Sequence, residues 1–375
     1  MSRGSVMKVL ILSCSMGEGH NSAAKAVYEA VIDSGNEALI TDVLSFGGKK
    51  PPKIAEGSYR SVVTRAPHVF GAIYKVGGAY NATGLRSPVY FVNTLYAEKL
   101  RDYIIENDYT AVVATHLFAM QALTHIRRKY KDFRVKCYGV LTDYTCIPFF
   151  NESELDAFFV PHKETAAECA RKGMDKSRLV NTGIPVSLTF NIPHTKEEAR
   201  KMLSLPGGKI FVVMTGGLGC GNAVELCRGL LSGADNDTYI YILYGRNEGL
   251  HKTLKECFKD NDNVSTVGFT DKVALYMKSA DVLLTKPGGI SSTEAAVTNV
   301  PLIHTMPIPG CETKNADLFE RNAMSIKALS PKKAAEQALH LINDPEKCER
   351  MRNNQRAQIN ANAARDIVTY IKEHD

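Results

Sequence analysis

The sequence has no C-x-x-C pair. Its nine cysteines stand singly, at 14, 137, 146, 169, 220, 227, 257, 311 and 348. An odd, scattered set excludes a disulfide scaffold and argues against structural zinc and thioredoxin-type chemistry. Reduced thiols in a cytosolic chain are the simplest reading. No run of 18 uncharged apolar residues occurs, so no helix is expected to cross a membrane. The N-terminal run Val9-Leu10-Ile11-Leu12 is too short for a signal-peptide core. Net charge is also scarce: 46 basic and 40 acidic residues leave +6, which does not demand a nucleic-acid partner. Neither strand-end glycine loop reads G-x-G-x-x-G, which weakens a dinucleotide reading, and the second is not a P-loop.

What is present is an ordinary globular composition, 44% hydrophobic and 23% charged over 375 residues, enough for two domains with sizeable cores. Short β-branched runs alternate with helical patterns, which predicts an α/β fold with parallel sheets. Val9 to Cys14 reads as a buried strand, followed by a helix over 22–32, a strand at Ala38 to Thr41, and later strands at 111–114, 135–140 and 158–160. A turn-rich stretch, Gly183-Ile184-Pro185 to Asn191-Ile192-Pro193, is the expected linker. The pattern restarts at Lys209 to Met214, with further strands at 239–243, 264–267 and 282–284 and one long polar helix over 345–372. The expected division is 1–188, 189–355 and a C-terminal helix, 356–375, packing back on the first domain.

One segment breaks the rhythm. Lys49 to Arg101 holds nine basic residues against Glu56 and Glu98, a balance of +7 that exceeds the charge of the whole chain. Tyr59, Phe70, Tyr74, Tyr80, Tyr90, Phe91 and Tyr96 are interleaved with these cations. Rings in the interface and cations at phosphates suit an anionic membrane surface; a solvated insertion with core tyrosines is the plainer alternative.

Candidate chemistry gathers at strand ends, where open α/β sheets bind ligands. Ser15-Met16-Gly17-Glu18-Gly19-His20-Asn21 follows the first strand. Small residues there let a substrate approach the backbone, and a neutral His20 can take a proton from a hydroxyl, or merely close the turn. Thr142-Asp143-Tyr144 and His116 also follow strands; Asp143 either orients His20 or an acceptor, or is a turn aspartate. In the second half, Thr215-Gly216-Gly217-Leu218-Gly219 and Lys286-Pro287-Gly288-Gly289-Ile290-Ser291-Ser292-Thr293-Glu294 each precede a helix and can hold a phosphate on backbone N–H groups. Glu294 can accept from a ribose diol, or simply favour the early turns of its helix. Two such loops in one half-chain argue for a nucleotide diphosphate. Gly310-Cys311-Glu312-Thr313-Lys314-Asn315 offers polar groups to a sugar, or caps a helix.

Taken in order, Gly17-Glu18-Gly19-His20, Leu141-Thr142-Asp143, Thr182-Gly183-Ile184-Pro185-Val186, Gly216-Gly217, Lys286-Pro287-Gly288-Gly289 with Glu294-Ala295, and Pro309-Gly310-x-Glu312-x-x-Asn315 resemble the monogalactosyldiacylglycerol synthase and processive diacylglycerol glucosyltransferase group, relatives of the lipid I N-acetylglucosaminyltransferase. The resemblance implies a GT-B fold, two Rossmann-like domains facing across a cleft. It implies an inverting, metal-independent transfer of glucose or galactose from a UDP-sugar to diacylglycerol, with no cofactor, by a bacterial protein held peripherally on the inner face of the cell membrane. His20 maps to the general base, with Asp143 as its partner. Gly19, His116 and Tyr144 fall on the acceptor side. Gly216, Gly217, Gly219, Arg246, Phe269, Lys286, Gly288, Gly289, Ile290, Ser291, Glu294, Glu312 and Asn315 fall on the donor side. Relatives carry Gly-Gln-Glu where this chain has Gly310-Cys311-Glu312, and Cys is a poor hydrogen-bond partner for a hexose. Lipid I glycosylation, a UDP-N-acetylglucosamine 2-epimerase and a membrane-bound UDP-sugar sensor are the rival readings.

Overall fold

The structure, a computed structural model, describes residues 6–15, 17–47, 86–215 and 222–374. It divides into two compact units, Met1–Leu188 with Asn360–Asp375, and Thr189–Ile359.

The first unit runs β1 (Lys8–Ser13), α1 (Glu18–Asp33), β2 (Glu37–Asp42), α2 (Pro88–Thr94), α3 (Ala97–Glu106), β3 (Ala111–Ala114), α4 (Leu117–Lys129), β4 (Lys136–Val140), β5 (Ala157–Val160), α5 (Lys163–Arg171) and β6 (Leu179–Asn181). The second runs α6 (Lys196–Met202), β7 (Lys209–Met214), α7 (Ala223–Ser232), β8 (Thr238–Gly245), α8 (Glu248–Cys257), β9 (Val264–Gly268), α9 (Val273–Ser279), β10 (Val282–Thr285), α10 (Gly289–Val297), β11 (Leu302–Thr305), α11 (Cys311–Arg321), β12 (Ile326–Ala328), α12 (Pro331–Leu341) and α13 (Pro345–Gln358). The chain then rejoins the first unit with α14 (Ala363–His374).

Each unit holds one six-stranded, fully parallel sheet, ordered β2-β1-β3-β4-β5-β6 and β12-β11-β10-β7-β8-β9. A parallel sheet is covered on both faces, which is why its inner strands are apolar throughout. Strand period two sends Leu10 and Leu12 into one core and Val9 and Ile11 into the other. The winding direction reverses between β1 and β3 in one sheet and between β7 and β10 in the other. These switch points leave a crevice beyond the strand ends, the usual ligand position in such folds. His20 and His116 follow β1 and β3. The Gly216 loop and the Lys286 loop follow β7 and β10.

One expectation needs correction. The long polar helix over 345–372 is two helices, α13 and α14. Ile359 is buried with extended backbone, and the Asn360 amide donates to the Thr182 carbonyl at 2.8 Å and to Asp366 Oδ2 at 2.6 Å. That turn is where the chain re-enters the first unit, four residues later than the expected 356. α14 is amphipathic, burying Ala364, Ile367, Val368 and Ile371 in one cluster with Val27 and Val31 of α1.

The basic aromatic segment is described only in part. Residues 49–85 of it lie outside the described residues. In the remainder, Tyr90 and Tyr96 are core residues, 2% and 4% exposed. The Arg86 guanidinium lies over the Tyr90 ring at 4.6 Å, and Arg101 over Tyr130 at 4.2 Å. A buried polar chain pins α2: Tyr96 Oη donates to Asn93, Asn93 to Gln121, Gln121 to Glu152, and Glu152 accepts from the Ser87 backbone and hydroxyl. Only Phe91, Val92 and Leu95 of α2 and its C-terminal end present large apolar side chains to solvent here.

Candidate functional site

In the first unit the site is built on the ends of β1, β3 and β4. Gly17 caps α1 in an extended conformation, and Ser15 is tied to Asp42 Oδ2 through its N–H at 3.1 Å and its hydroxyl at 2.5 Å. This sets His20 in the first turn of α1. Its Nδ1 lies 2.8 Å from the Thr115 carbonyl and 3.2 Å from Thr142 Oγ1, while the Thr115 hydroxyl donates to the His20 carbonyl at 3.1 Å. A carbonyl can only accept, so the Nδ1 proton is fixed and the neutral ring keeps its lone pair on Nε2. Loss of solvent lowers the His20 pKa; the charge of Asp143 and the Thr115 bond oppose this. Asp143 thus acts on the imidazole through its field, since the backbone already fills Nδ1.

The His116 ring stands edge-to-face with His20, centroids 4.5 Å apart, and Phe118 packs on its other side at 4.5 Å. Both histidines are half-buried. Tyr144, two residues beyond Thr142, is buried, 3% exposed. Gly19 lies in the first turn beside His20, half-buried.

In the second unit, Lys286, Pro287 and Gly288 link β10 to α10, and Gly288 is the cap residue of that helix. Asn315 is fully buried and donates Nδ2 to the Pro287 carbonyl at 3.0 Å. Through that amide it braces the loop ahead of α10. Ile290 is 7% exposed, so its side chain packs in the core and only its backbone can serve a ligand. Ser291 is half-buried. Glu294, in the second turn of α10, is half-buried, and withdrawal from water pushes its carboxyl up to about 8. No group among the described residues bonds that carboxyl. Gly310 bends the loop ahead of α11 at φ 120°, a region open to glycine alone, and Glu312 Oε2 accepts the Ile308 N–H at 2.8 Å. Arg246 stacks over the exposed Phe269 ring at 3.9 Å. Gly216, Gly217 and Gly219 lie outside the described residues.

Sequence reasoning missed His304. It is fully buried under α10, its Nε2 2.9 Å from the Ser292 hydroxyl and its Nδ1 3.0 Å from that of Ser325. A lone His inside an apolar strand carries no signal of such a role. The Thr115 carbonyl was also missed, although its position just before His116 at a strand end was the clue. Among the described residues, no three His, Cys, Asp or Glu side chains gather as a metal site, and no helix is long and apolar enough to cross a membrane.

Residues 20–186 match the sequence profile of monogalactosyldiacylglycerol synthase, and residues 211–370 that of the family 28 glycosyltransferase C-terminal domain. The first match falls in the first unit and most of the second in the second unit, so the chain is similar to monogalactosyldiacylglycerol synthases in one half and to family 28 glycosyltransferases in the other. Similar proteins include the processive diacylglycerol β-glucosyltransferases of Bacillus subtilis, 25% identical over 92% of this chain and 90% of that one, and of Bacillus pumilus, 24% identical over 98% and 94%. Among solved structures, Acinetobacter baumannii MurG superposes with a TM-score of 0.63 at 12% identity, covering 98% of this chain and 99% of that one. A UDP-GlcNAc 2-epimerase from Neisseria meningitidis, bound to UDP-GlcNAc, gives 0.62 at 13%, covering 98% and 100%. At such identities the likeness is one of fold: the chain has two α/β domains of the GT-B type.

Proposed function

We propose that the chain transfers a hexose, glucose or galactose, from a UDP-sugar to the hydroxyl of diacylglycerol in one inverting displacement. The observation that carries this reading is the fixed tautomer of His20 at the switch point of a sheet in a chain similar to glycolipid glycosyltransferases. Nε2 takes the proton of the acceptor hydroxyl as its oxygen forms a bond to the anomeric carbon. The bond from that carbon to the UDP oxygen breaks, and UDP leaves with the electron pair. Backbone N–H groups at Gly288 and Gly289, those of the Gly216 loop, and Lys286 receive the growing negative charge, so the step needs no metal. Glu294 accepts from the ribose hydroxyls, and Arg246 with Phe269 forms a flat platform for the uracil. Asp143 keeps His20 basic enough to work.

The acceptor is a lipid, and the membrane surface belongs to the same reading. The cation-rich stretch from Lys49, joined by exposed Phe91, Val92 and Leu95, suits an anionic bilayer at the inner face of the membrane. Supporting the lipid acceptor are the diacylglycerol glucosyltransferases of Bacillus that align over most of this chain. The test is a product assay with diacylglycerol or lipid I as acceptor and UDP-glucose, UDP-galactose or UDP-N-acetylglucosamine as donor. Hexosyl-diacylglycerol is the expected product. Product from lipid I alone, or epimerised donor with no acceptor present, would overturn the proposal.

A further inference from the structure

Two helices of the first unit begin on a histidine. His116 accepts the Phe118 N–H at Nδ1, 3.2 Å, ahead of α4; His162 accepts the Glu164 N–H at Nδ1, 3.3 Å, ahead of α5. A ring nitrogen that accepts carries no proton, so each neutral ring holds its proton on Nε2. The likeness ends there. His162 is 3% exposed, whereas His116 is half-exposed and stands at 87° to the His20 ring. His20 has the opposite tautomer, its Nδ1–H given to the Thr115 carbonyl. Two adjoining imidazoles thus offer complementary groups, a lone pair on His20 Nε2 and an N–H on His116 Nε2. Among the described residues neither Nε2 has a hydrogen-bond partner.

We propose that His116 is the residue that orients the acceptor, its Nε2–H binding an oxygen next to the hydroxyl that His20 deprotonates. In a diacylglycerol that oxygen is the ester carbonyl on the adjacent carbon. The proposal rests on the transfer reading above. Burial first, and the neighbouring His20 second, hold the His116 pKa well below the ordinary imidazole value, so the ring stays neutral and keeps one donor at neutral pH. A neutral donor also spares His20 the repulsion of a second cation when it takes up the acceptor proton. A purely capping role would leave the choice of acceptor untouched.

The test compares diacylglycerol with a dialkylglycerol ether, which lacks the carbonyl, in the wild type and in His116→Ser, where serine still caps the helix but cannot reach. Wild type is expected to favour the ester by about fivefold in kcat/KM, the worth of one hydrogen bond, and the variant to show no preference. An unchanged ester preference in a His116→Ser protein that binds UDP normally would overturn the proposal. Independently of activity, histidine 15N spectra of the full chain at neutral pH should show His116 protonated at Nε2 and His20 at Nδ1. A His116 protonated at Nδ1, or at both nitrogens, would overturn it whatever the kinetics. Wild type that glycosylates neither lipid while binding UDP would refute the transfer reading, and the proposal with it; that result is distinct from an unchanged ratio.

Discussion

His20 and His304 are both held by short hydrogen bonds near the ligand end of a parallel sheet, one in each unit, yet they do opposite things. His304 is fully buried with both ring nitrogens engaged by hydroxyls, and burial drives its pKa down to about 3. It has nothing left to offer a substrate; it ties the strand β11 to α10 and to Ser325. His20 spends only Nδ1 on the protein and stays half-exposed. The difference lies in which nitrogen is unspent, and that depends on partners far away in sequence. Thr115 and Thr142 reach His20 across 95 and 122 residues.

This separation explains what could be read from the sequence. The strands were legible because runs such as Val9 to Leu12 and Ile210 to Val213 are apolar on both faces, as inner parallel strands must be. The glycine loops were legible because small residues sit where strands end. The hold of Asn315 on the loop ahead of α10 was not legible, because its partner Pro287 lies 28 residues away. The 345–372 stretch hid a break because Asn360 has no local signal, its partner Thr182 being 178 residues away.

The contrast can be broken most easily at His20. Replacing it with alanine should lower kcat by roughly 10²–10⁴-fold with little change in unfolding midpoint. His304→Ala should do the reverse. It leaves two buried hydroxyls unpaired beside a cavity and should cost about 2–4 kcal/mol of stability in denaturant titration, with UDP affinity retained while the protein is folded. A linked signature follows from its depressed pKa. Between the ordinary value of 6.5 and about 3 the unfolded chain binds a proton that the folded ring refuses, so stability should fall as pH drops through that window, and the alanine variant should lose this dependence.

Smaller effects sharpen the comparison. Asp143 raises the His20 pKa, so Asp143→Asn should move the acid limb of the kcat/KM profile to lower pH and reduce the plateau by about tenfold, as a weaker base would. In the second unit, Glu294 is mostly protonated at neutral pH, its pKa lying at about 8. Accepting from a ribose diol favours the carboxylate, so UDP binding should release up to one proton. Calorimetry in buffers of different ionisation enthalpy would detect this, and Glu294→Gln should abolish it. Thr142→Val should be mildest, roughly two- to threefold in kcat, because Thr115 still holds the ring.

The central claim is a single displacement assisted by His20, and the configuration of the product tests it most directly. Proton NMR of the glycolipid made from a UDP-α-hexose and diacylglycerol is predicted to show a β linkage, with one UDP released per hexose transferred. An α-linked product, or UDP released without glycolipid, would contradict it.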